Sequence, residues 1–76
     1  MHRYYLSLVR GLVGYYVLFE APDEWTVRRH AQEYFGRVWC SVYEEDYFNR
    51  FIVGRCGESR VINADRPIVL ESWEWE

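Results

Sequence analysis

Apolar and polar positions alternate from the first residues. Tyr4, Leu6 and Leu8 fall on one side of the chain, and Tyr5, Ser7 and Val9 on the other. Successive strand side chains point to opposite faces, so Tyr4–Val9 reads as a strand with its even set toward the core. Arg10-Gly11 reads as a turn. From Leu12 to Phe19 nearly every residue is apolar, broken by Gly14. A run apolar on both faces predicts a central strand covered on both sides, or one whose second face forms an interface. Gly14 marks either a bulge or the end of the preceding turn.

Ala21-Pro22-Asp23-Glu24 opens a helix. Asp23 can cap free backbone N–H groups, and Glu24 suits the positive end of the helix dipole. Val27, Ala31, Tyr34 and Phe35 recur at helical spacing as one apolar stripe, and Gly36 is a natural stop, so the helix runs three to four turns. Arg28, Arg29, Gln32 and Glu33 fall mostly outside the stripe. Arg37–Tyr43 returns to strand, with Val38, Cys40 and Val42 on one face and Trp39, Ser41 and Tyr43 on the other. Glu44-Glu45-Asp46 is too charged to bury and reads as a turn or loop.

Tyr47–Val53 reads as a further strand, Gly54–Ser59 as a turn and Arg60–Asn63 as a short strand. Asp65-Arg66-Pro67 breaks the pattern, because proline cannot donate to a ladder and restricts the residue before it. Ile68–Trp75 reads as the last strand. Its final residues, Glu71-Ser72-Trp73-Glu74-Trp75-Glu76, place Trp73 and Trp75 on one face and Glu74 and Glu76 on the other. Ile68 and Leu70 are out of phase with the two tryptophans, which calls for a bulge near Glu71-Ser72 or for two partly covered faces. The order is β-β-α-β-β-(β)-β. It predicts a single α+β domain over residues 1–76, an antiparallel sheet of four to five strands with one helix packed on one face. One helix cannot cover both faces, so the other should be polar or meet another surface.

Composition sharpens this picture. Four Trp, seven Tyr and four Phe in 76 residues exceed what one small core usually holds, so some rings are expected at the surface and at an interface. Net charge is −3, with residues 1–38 at +1 and residues 39–76 at −4. The acidic half argues against bulk duplex DNA binding and suits a basic protein surface. All nine cationic residues are arginine. No stretch is long and apolar enough to span a membrane, and the N-terminus lacks the regions of a signal peptide, so the expected location is the cytoplasm with reduced thiols.

Candidate chemistry is sparse. His2, His30, Cys40 and Cys56 lack the spacing of a zinc site, and no cofactor or metal is expected. Cys40 reads as a small core residue. His30 reads as a helical residue flanking Val27 and Tyr34 rather than a general base, and no acid–base or nucleophile set assembles. The carboxylates of Glu44, Glu45, Asp46, Glu71, Glu74 and Glu76, with Trp73 and Trp75 as anchors, form the candidate partner-binding set. A second set, Arg28, Arg29 and Arg37 with Tyr5, Tyr15 and Tyr43, would suit a sheet that stacks single-stranded bases, although no RNP signature is present. Arg28 and Arg29 equally suit a solvated helix face with Glu24–Arg28 and Arg29–Glu33 pairs.

The hairpin, the acidic-capped helix from Glu20-Ala21-Pro22-Asp23-Glu24 to His30-Ala31, and the meander that follows resemble small phage-encoded proteins, among them anti-CRISPR inhibitors of type I surveillance complexes. The resemblance is one of layout over most of the chain, without a shared motif, so no functional residue transfers. It implies a non-enzymatic protein that covers a nucleic-acid groove or a subunit surface. The expected function is therefore a protein-binding module, plausible as a phage or mobile-element inhibitor of a host nucleoprotein complex. The alternative is a small single-stranded nucleic-acid-binding domain. A homodimer through exposed strands or free sheet faces is compatible with both.

Overall fold

The computed structural model describes residues 1–9, 14–53 and 60–71, with Cys40 described by its backbone alone. The strand on which the others are built is β2, Tyr15–Ala21. Gly14 precedes it at φ 92, a left-handed conformation that suits glycine, so it belongs to the turn rather than to the strand. β1 (His2–Leu8) pairs antiparallel with β2, from His2↔Ala21 to Ser7↔Tyr16. β3 (Trp39–Glu44) pairs antiparallel with the other edge of β1, through Tyr4↔Glu44, Tyr5↔Tyr43 and Leu6↔Val42. On the outer edge of β2 two short strands follow one another, β4 (Arg60–Val61) beside Tyr15–Tyr16 and β5 (Ile68–Val69) beside Phe19–Glu20.

Both of these short strands run parallel to β2. The α+β class with a helix on the sheet holds, but the sheet is mixed rather than antiparallel throughout. The reason lies in the connection after β3. Tyr47–Val53, expected as a strand, is helical: α2 (Glu45–Tyr47) leads into a π-helical segment, Phe48–Val53. Parallel strands of one sheet need a crossover, and a helix is its usual form. Glu45 and Asp46 stand in the first helical turn, where the dipole favours negative charge.

The gap between β4 and β5 is filled by a side chain. Ile62 N–H donates to the Tyr16 carbonyl at 2.8 Å and Leu70 N–H to the Glu20 carbonyl at 2.8 Å. Between them the chain loops out at residues 62–65, and Leu18 would lose its neighbour. The Asn63 carboxamide takes the place of a peptide group. Its Oδ1 accepts from Leu18 N–H at 2.7 Å, and its Nδ2 donates to the Leu18 carbonyl at 2.9 Å and to the Arg66 carbonyl at 3.1 Å. A similar substitution mends a bulge in β3. Ser7 faces two residues, Cys40 and Ser41, where the register shifts. The Ser7 hydroxyl accepts from Ser41 N–H at 2.9 Å and donates to the Ser41 carbonyl at 3.2 Å. The extra residue resets the faces, so Trp39 packs on the same core as Val42 rather than opposite it.

Both faces of the sheet are covered. On one, Tyr4, Leu6, Leu8, Val17, Phe19 and Val42 meet Val27 and Ala31 of α1 (Glu24–Tyr34). Phe19, Leu6 and Val27 are wholly buried, each worth about 1.5–3 kcal/mol by transfer. Thr26 N–H donates to Asp23 Oδ1 at 2.8 Å and caps α1 as expected. Gly36, at φ +55, ends it with nothing within 4 Å of where a Cβ would stand, so its role is conformational. Tyr34, expected in the apolar stripe, is 71% exposed, while Val27, Ala31 and the partly buried Phe35 pack inward.

On the other face, Phe48 of the π-helical segment enters between strand residues. Its ring lies parallel to Tyr5 at 3.9 Å and edge-on to Tyr16 at 4.8 Å, with Leu18 beneath. The second face is thus neither polar nor open, as a one-helix fold would leave it. The expected turns at Arg10-Gly11 and Gly54–Ser59, and the strand beyond Glu71, lie outside the described residues.

Two substitutions test this arrangement. Asn63→Ala leaves the Leu18 N–H and carbonyl without their protein partner, and is expected to lower stability by about 2 kcal/mol in urea unfolding. A loss within a few tenths of wild type would mean that Asn63 does not complete the edge. Phe48→Ala opens a cavity between Tyr5 and Tyr16 and is expected to cost about 3–4 kcal/mol. The near-ultraviolet signal of the tyrosines should weaken with it, whereas an exposed strand residue would lose little.

Candidate functional site

The end of the sheet where β3 stops gathers carboxylates from three parts of the chain. Glu44 closes β3, Glu45 and Asp46 begin α2, and Asp23 and Glu24 begin α1. Glu24 and Glu44 line one groove, and the charges of Glu44, Asp23 and Glu24 all act on the phenol of Tyr4 in β1. Burial first, and then these charges, raise the Tyr4 pKa above its ordinary value.

Arginine offsets part of this charge. Arg3 Nε lies 3.3 Å from Glu20 Oε1 and its Nη1 3.8 Å from Glu45 Oε2, joining β1, β2 and α2. Arg28 Nε donates to Glu24 Oε2 at 3.0 Å, and Arg50 Nη2 approaches Asp46 Oδ2 at 3.9 Å. These pairs are exposed and each is worth only tenths of a kcal/mol. Glu44 has no ion-pair partner among the described residues.

Beside the carboxylates runs a row of aromatic rings. Tyr43 and Tyr47 stack at 5.6 Å with planes 3° apart, and Phe51 follows at 4.8 Å from Tyr47. Tyr47 and Phe51 are four residues apart on a helical segment, so they share a side. They are 49% and 43% exposed, while Phe48 of the same segment is buried at 3%. The segment is therefore amphipathic in an unusual sense: aromatic inside and aromatic outside. A shallow groove of about 290 Å³ between Glu24, Val42, Tyr43, Glu44 and Tyr47 joins the row to the start of α1. Half-exposed rings bordered by carboxylates can anchor a partner by apolar contact and select it by charge.

The acidic run Glu44, Glu45, Asp46 is thus at this surface. Glu71 is exposed beyond β5, with β2 and β1 between it and β3, so the two acidic stretches are not neighbours along one edge. Trp73, Glu74, Trp75 and Glu76 lie outside the described residues. The alternative set is dispersed. Tyr5 is buried against Phe48, Tyr15 packs on the helix-side core with the Arg60 guanidinium 6.0 Å from its ring, and neither presents a stacking face on an open sheet. Arg28 is held by Glu24, Arg29 lies 5.9 Å from the Trp25 ring, and Arg37 is exposed in the turn after α1. The expected Glu24–Arg28 pair forms.

His30 is half-buried, edge-on to Phe19 at 5.5 Å and tilted against Tyr34 at 4.5 Å. Burial pushes its pKa down, against a smaller opposing effect of Glu33. A strand over Tyr47–Val53 gives no reason to single out Tyr47 and Phe51; the helical segment does. Their spacing, four residues apart with Phe48 and Ile52 one step behind, was the available signal. Among the described residues no helix is long and apolar enough to cross a membrane. No protein-family model matches the chain, and no curated protein and no solved structure matches it either.

The cap at this end of the molecule gives a pH test. Hydrogen bonds from Thr26, first its backbone N–H and then its hydroxyl, hold the Asp23 carboxyl below the ordinary value. A depressed folded-state pKa contributes stability that is complete above the unfolded value and is lost as pH falls through the folded one. Below about pH 4 the wild type should therefore lose stability that Asp23→Asn does not lose. Thermal unfolding of both from pH 6 to pH 2 reads this out, and parallel curves would remove Asp23 from the acid response.

Proposed function

We propose that this chain is a non-enzymatic protein-binding module that presents an acidic, aromatic surface to a basic protein. The observation that carries the reading is the row Tyr43, Tyr47 and Phe51, of which Tyr47 and Phe51 are exposed and Tyr43 is partly buried, set beside Glu44, Glu45 and Asp46. A helical segment whose inner side is already committed to the core has no packing reason to keep two further rings half-exposed. Such rings, bordered by charge, are the usual anchors of an interface. The carboxylates steer a basic partner and set orientation, and the rings supply contact area. Single-stranded nucleic acid is the weaker reading, because both sheet faces are covered and the arginines are spread over several elements. An inhibitor of a type I surveillance complex is the narrower form of the proposal, supported by the opening hairpin and acidic-capped helix alone, since a helical crossover stands where the meander was expected. An interference assay in a host carrying such a system decides that form.

The broader reading is tested with tagged protein and bacterial lysate, with and without nuclease. A stoichiometric protein partner that survives nuclease is expected. Tyr47→Ala with Phe51→Ala should weaken its binding by at least tenfold while leaving the fold intact, since both rings are surface-exposed. Glu44→Arg with Asp46→Arg should slow association and reduce its salt dependence. Recovery of nucleic acid that disappears on nuclease treatment, or a partner indifferent to both double variants, would overturn the proposal.

A further inference from the structure

β3 is the outermost strand on its side of the sheet, with β1 beside it. The register shows which of its backbone groups are in use. On β2, Tyr16, Leu18 and Glu20 turn backbone groups to the outer edge, where Ile62, Asn63 and Leu70 meet them. Val17 and Phe19 therefore turn theirs to β1, opposite Leu6 and Tyr4. Alternation along β1 leaves Arg3, Tyr5 and Ser7 to face β3, where Tyr5 meets Tyr43. The Ser7 hydroxyl, bonded to the N–H and carbonyl of Ser41, fixes the same phase. Tyr43 and Ser41 are thus committed to β1, and Val42 and Glu44 point the other way. Their N–H groups and the Val42 carbonyl have no hydrogen-bond partner among the described residues. Val42 is only 6% exposed, and backbone groups in so covered a position are ordinarily paired.

The groove of about 290 Å³ lies along this edge. Val42, Tyr43 and Glu44 line it in sequence, with Glu24 of α1 and Tyr47 of α2. α1 covers one face of the sheet, and Tyr47 stacks on Tyr43 at the other. A groove reached from both faces opens at the free edge of β3, since β1 occupies the opposite one. The chain also sets its length. The bulge at Cys40 and Ser41 breaks the spacing at one end, and α2 begins after Glu44 at the other. The regular edge is therefore short, suited to an extended segment of a few residues. Its two sides differ in chemistry. The Glu44 side chain shares the face of Tyr4 and α1, where Glu24 stands, and Tyr43 points to the other, toward Tyr47. A segment laid antiparallel here puts alternate side chains against carboxylates and against tyrosine rings. That alternation selects a basic, apolar, basic sequence. A second copy of β3 would bring its own Glu44 to the side of Glu24 and Glu44, with like charges near one another.

We infer that the free edge of β3 binds a short extended segment of the partner protein as an added strand. Val42 and Glu44 supply the backbone bonds, Glu24 and Glu44 receive basic side chains, and Tyr43 and Tyr47 receive the apolar residue between them. The inference rests on the reading of the chain as a binder of basic proteins. Strand addition takes its affinity from main-chain bonds and its specificity from alternate side chains. Glu24 is available because its pair with Arg28 is exposed, and such a pair exchanges at little cost.

The test titrates the isotopically labelled full chain with the acetylated pentapeptide amide Thr-Arg-Val-Arg-Thr. The same peptide N-methylated at both arginine nitrogens keeps its charge and loses the donors that would reach β3. The isomer Thr-Arg-Arg-Val-Thr keeps charge and composition and loses the alternation. The first peptide is expected to shift the Val42 and Glu44 amides and to slow their hydrogen exchange. Both controls should bind about fivefold more weakly or worse, the equivalent of one net hydrogen bond. On the protein side, Glu44 stands at φ −65 after a strand residue, a conformation that proline adopts. Glu44→Pro removes the free N–H, and Glu44→Gln accounts for the lost charge. Glu44→Pro should bind the peptide about fivefold more weakly than Glu44→Gln. The comparison of peptides stands whether or not Glu44→Pro folds. Equal binding of the isomer, equal binding of the N-methylated peptide, no response to any peptide at about 10 mM, or a folded Glu44→Pro that binds like Glu44→Gln would each overturn the inference. Failure here is separable from failure of the broader reading. A partner captured through Tyr47 and Phe51 that treats Glu44→Pro and Glu44→Gln alike sinks the added strand alone. Peptide binding at the edge with no protein partner sinks the broader reading alone.

Discussion

The fold depends on supplying β2 with neighbours on all four sides. Tyr16, Val17, Leu18 and Phe19 are all buried, alternating between two cores, so the strand cannot leave either face to water. Its N–H and carbonyl groups are equally demanding, because a buried polar backbone group without a partner costs about 1–3 kcal/mol. β1 satisfies one edge along its length. The other edge is satisfied in pieces, by β4, by the Asn63 carboxamide and by β5. A continuous strand would do the same work, but the loop at residues 62–65 and Pro67 prevent one from forming. A side chain that imitates a peptide lets the chain leave the sheet and rejoin it without abandoning Leu18.

The same demand creates the candidate interface. Covering the second face of β2 requires the segment after β3 to cross it, and Phe48 is the residue that makes the contact. A short helical segment that points Phe48 inward must point other positions outward, and here those positions are Tyr47 and Phe51. The acidic run before them stabilises the first helical turn and also borders the exposed rings. Stability and the proposed recognition therefore share one segment, although their residues point in opposite directions. Removal of Phe48 and removal of Phe51 are accordingly different experiments, the first acting on the fold and the second on the surface.

What could be read from the sequence was what is fixed locally. The cap at Asp23, the stop at Gly36 and the two-faced apolar run of β2 each follow from a few adjacent residues, and each is present. The reading failed where a distant residue decides. Tyr47–Val53 supports a period of two or of nearly four, and the slot between Tyr5 and Tyr16 chooses the second. Trp39 changed faces because Ser7, more than thirty residues earlier, accepts a bulge opposite it. Asn63 looked like the end of a strand, since nothing in a linear pattern shows a side chain standing in for backbone. The candidate site divides in the same way. The acidic triplet was visible because charge needs no context, whereas Tyr47 and Phe51 became surface residues only once the helix was known. Tyr4 lies in the core, as the alternation of the first strand predicts.

Charge and aromatic area at this surface act over different distances, which bears on the kind of partner it can hold. Screening limits the reach of the carboxylates to about 8–10 Å at physiological salt, enough to bias encounter with a basic surface. Their pairs with Arg3, Arg28 and Arg50 are exposed and exchangeable, so little is lost when a partner's cations replace them. The rings act only on contact. Tyr43 and Tyr47 already lie parallel, which removes part of the ordering cost that loose side chains would incur on binding. A nucleic-acid strand would find its phosphates repelled by Glu44, Glu45 and Asp46 at the place where the exposed rings could stack its bases. A protein carrying arginine meets no such conflict, because guanidinium groups pair with the carboxylates and lie flat on tyrosine faces.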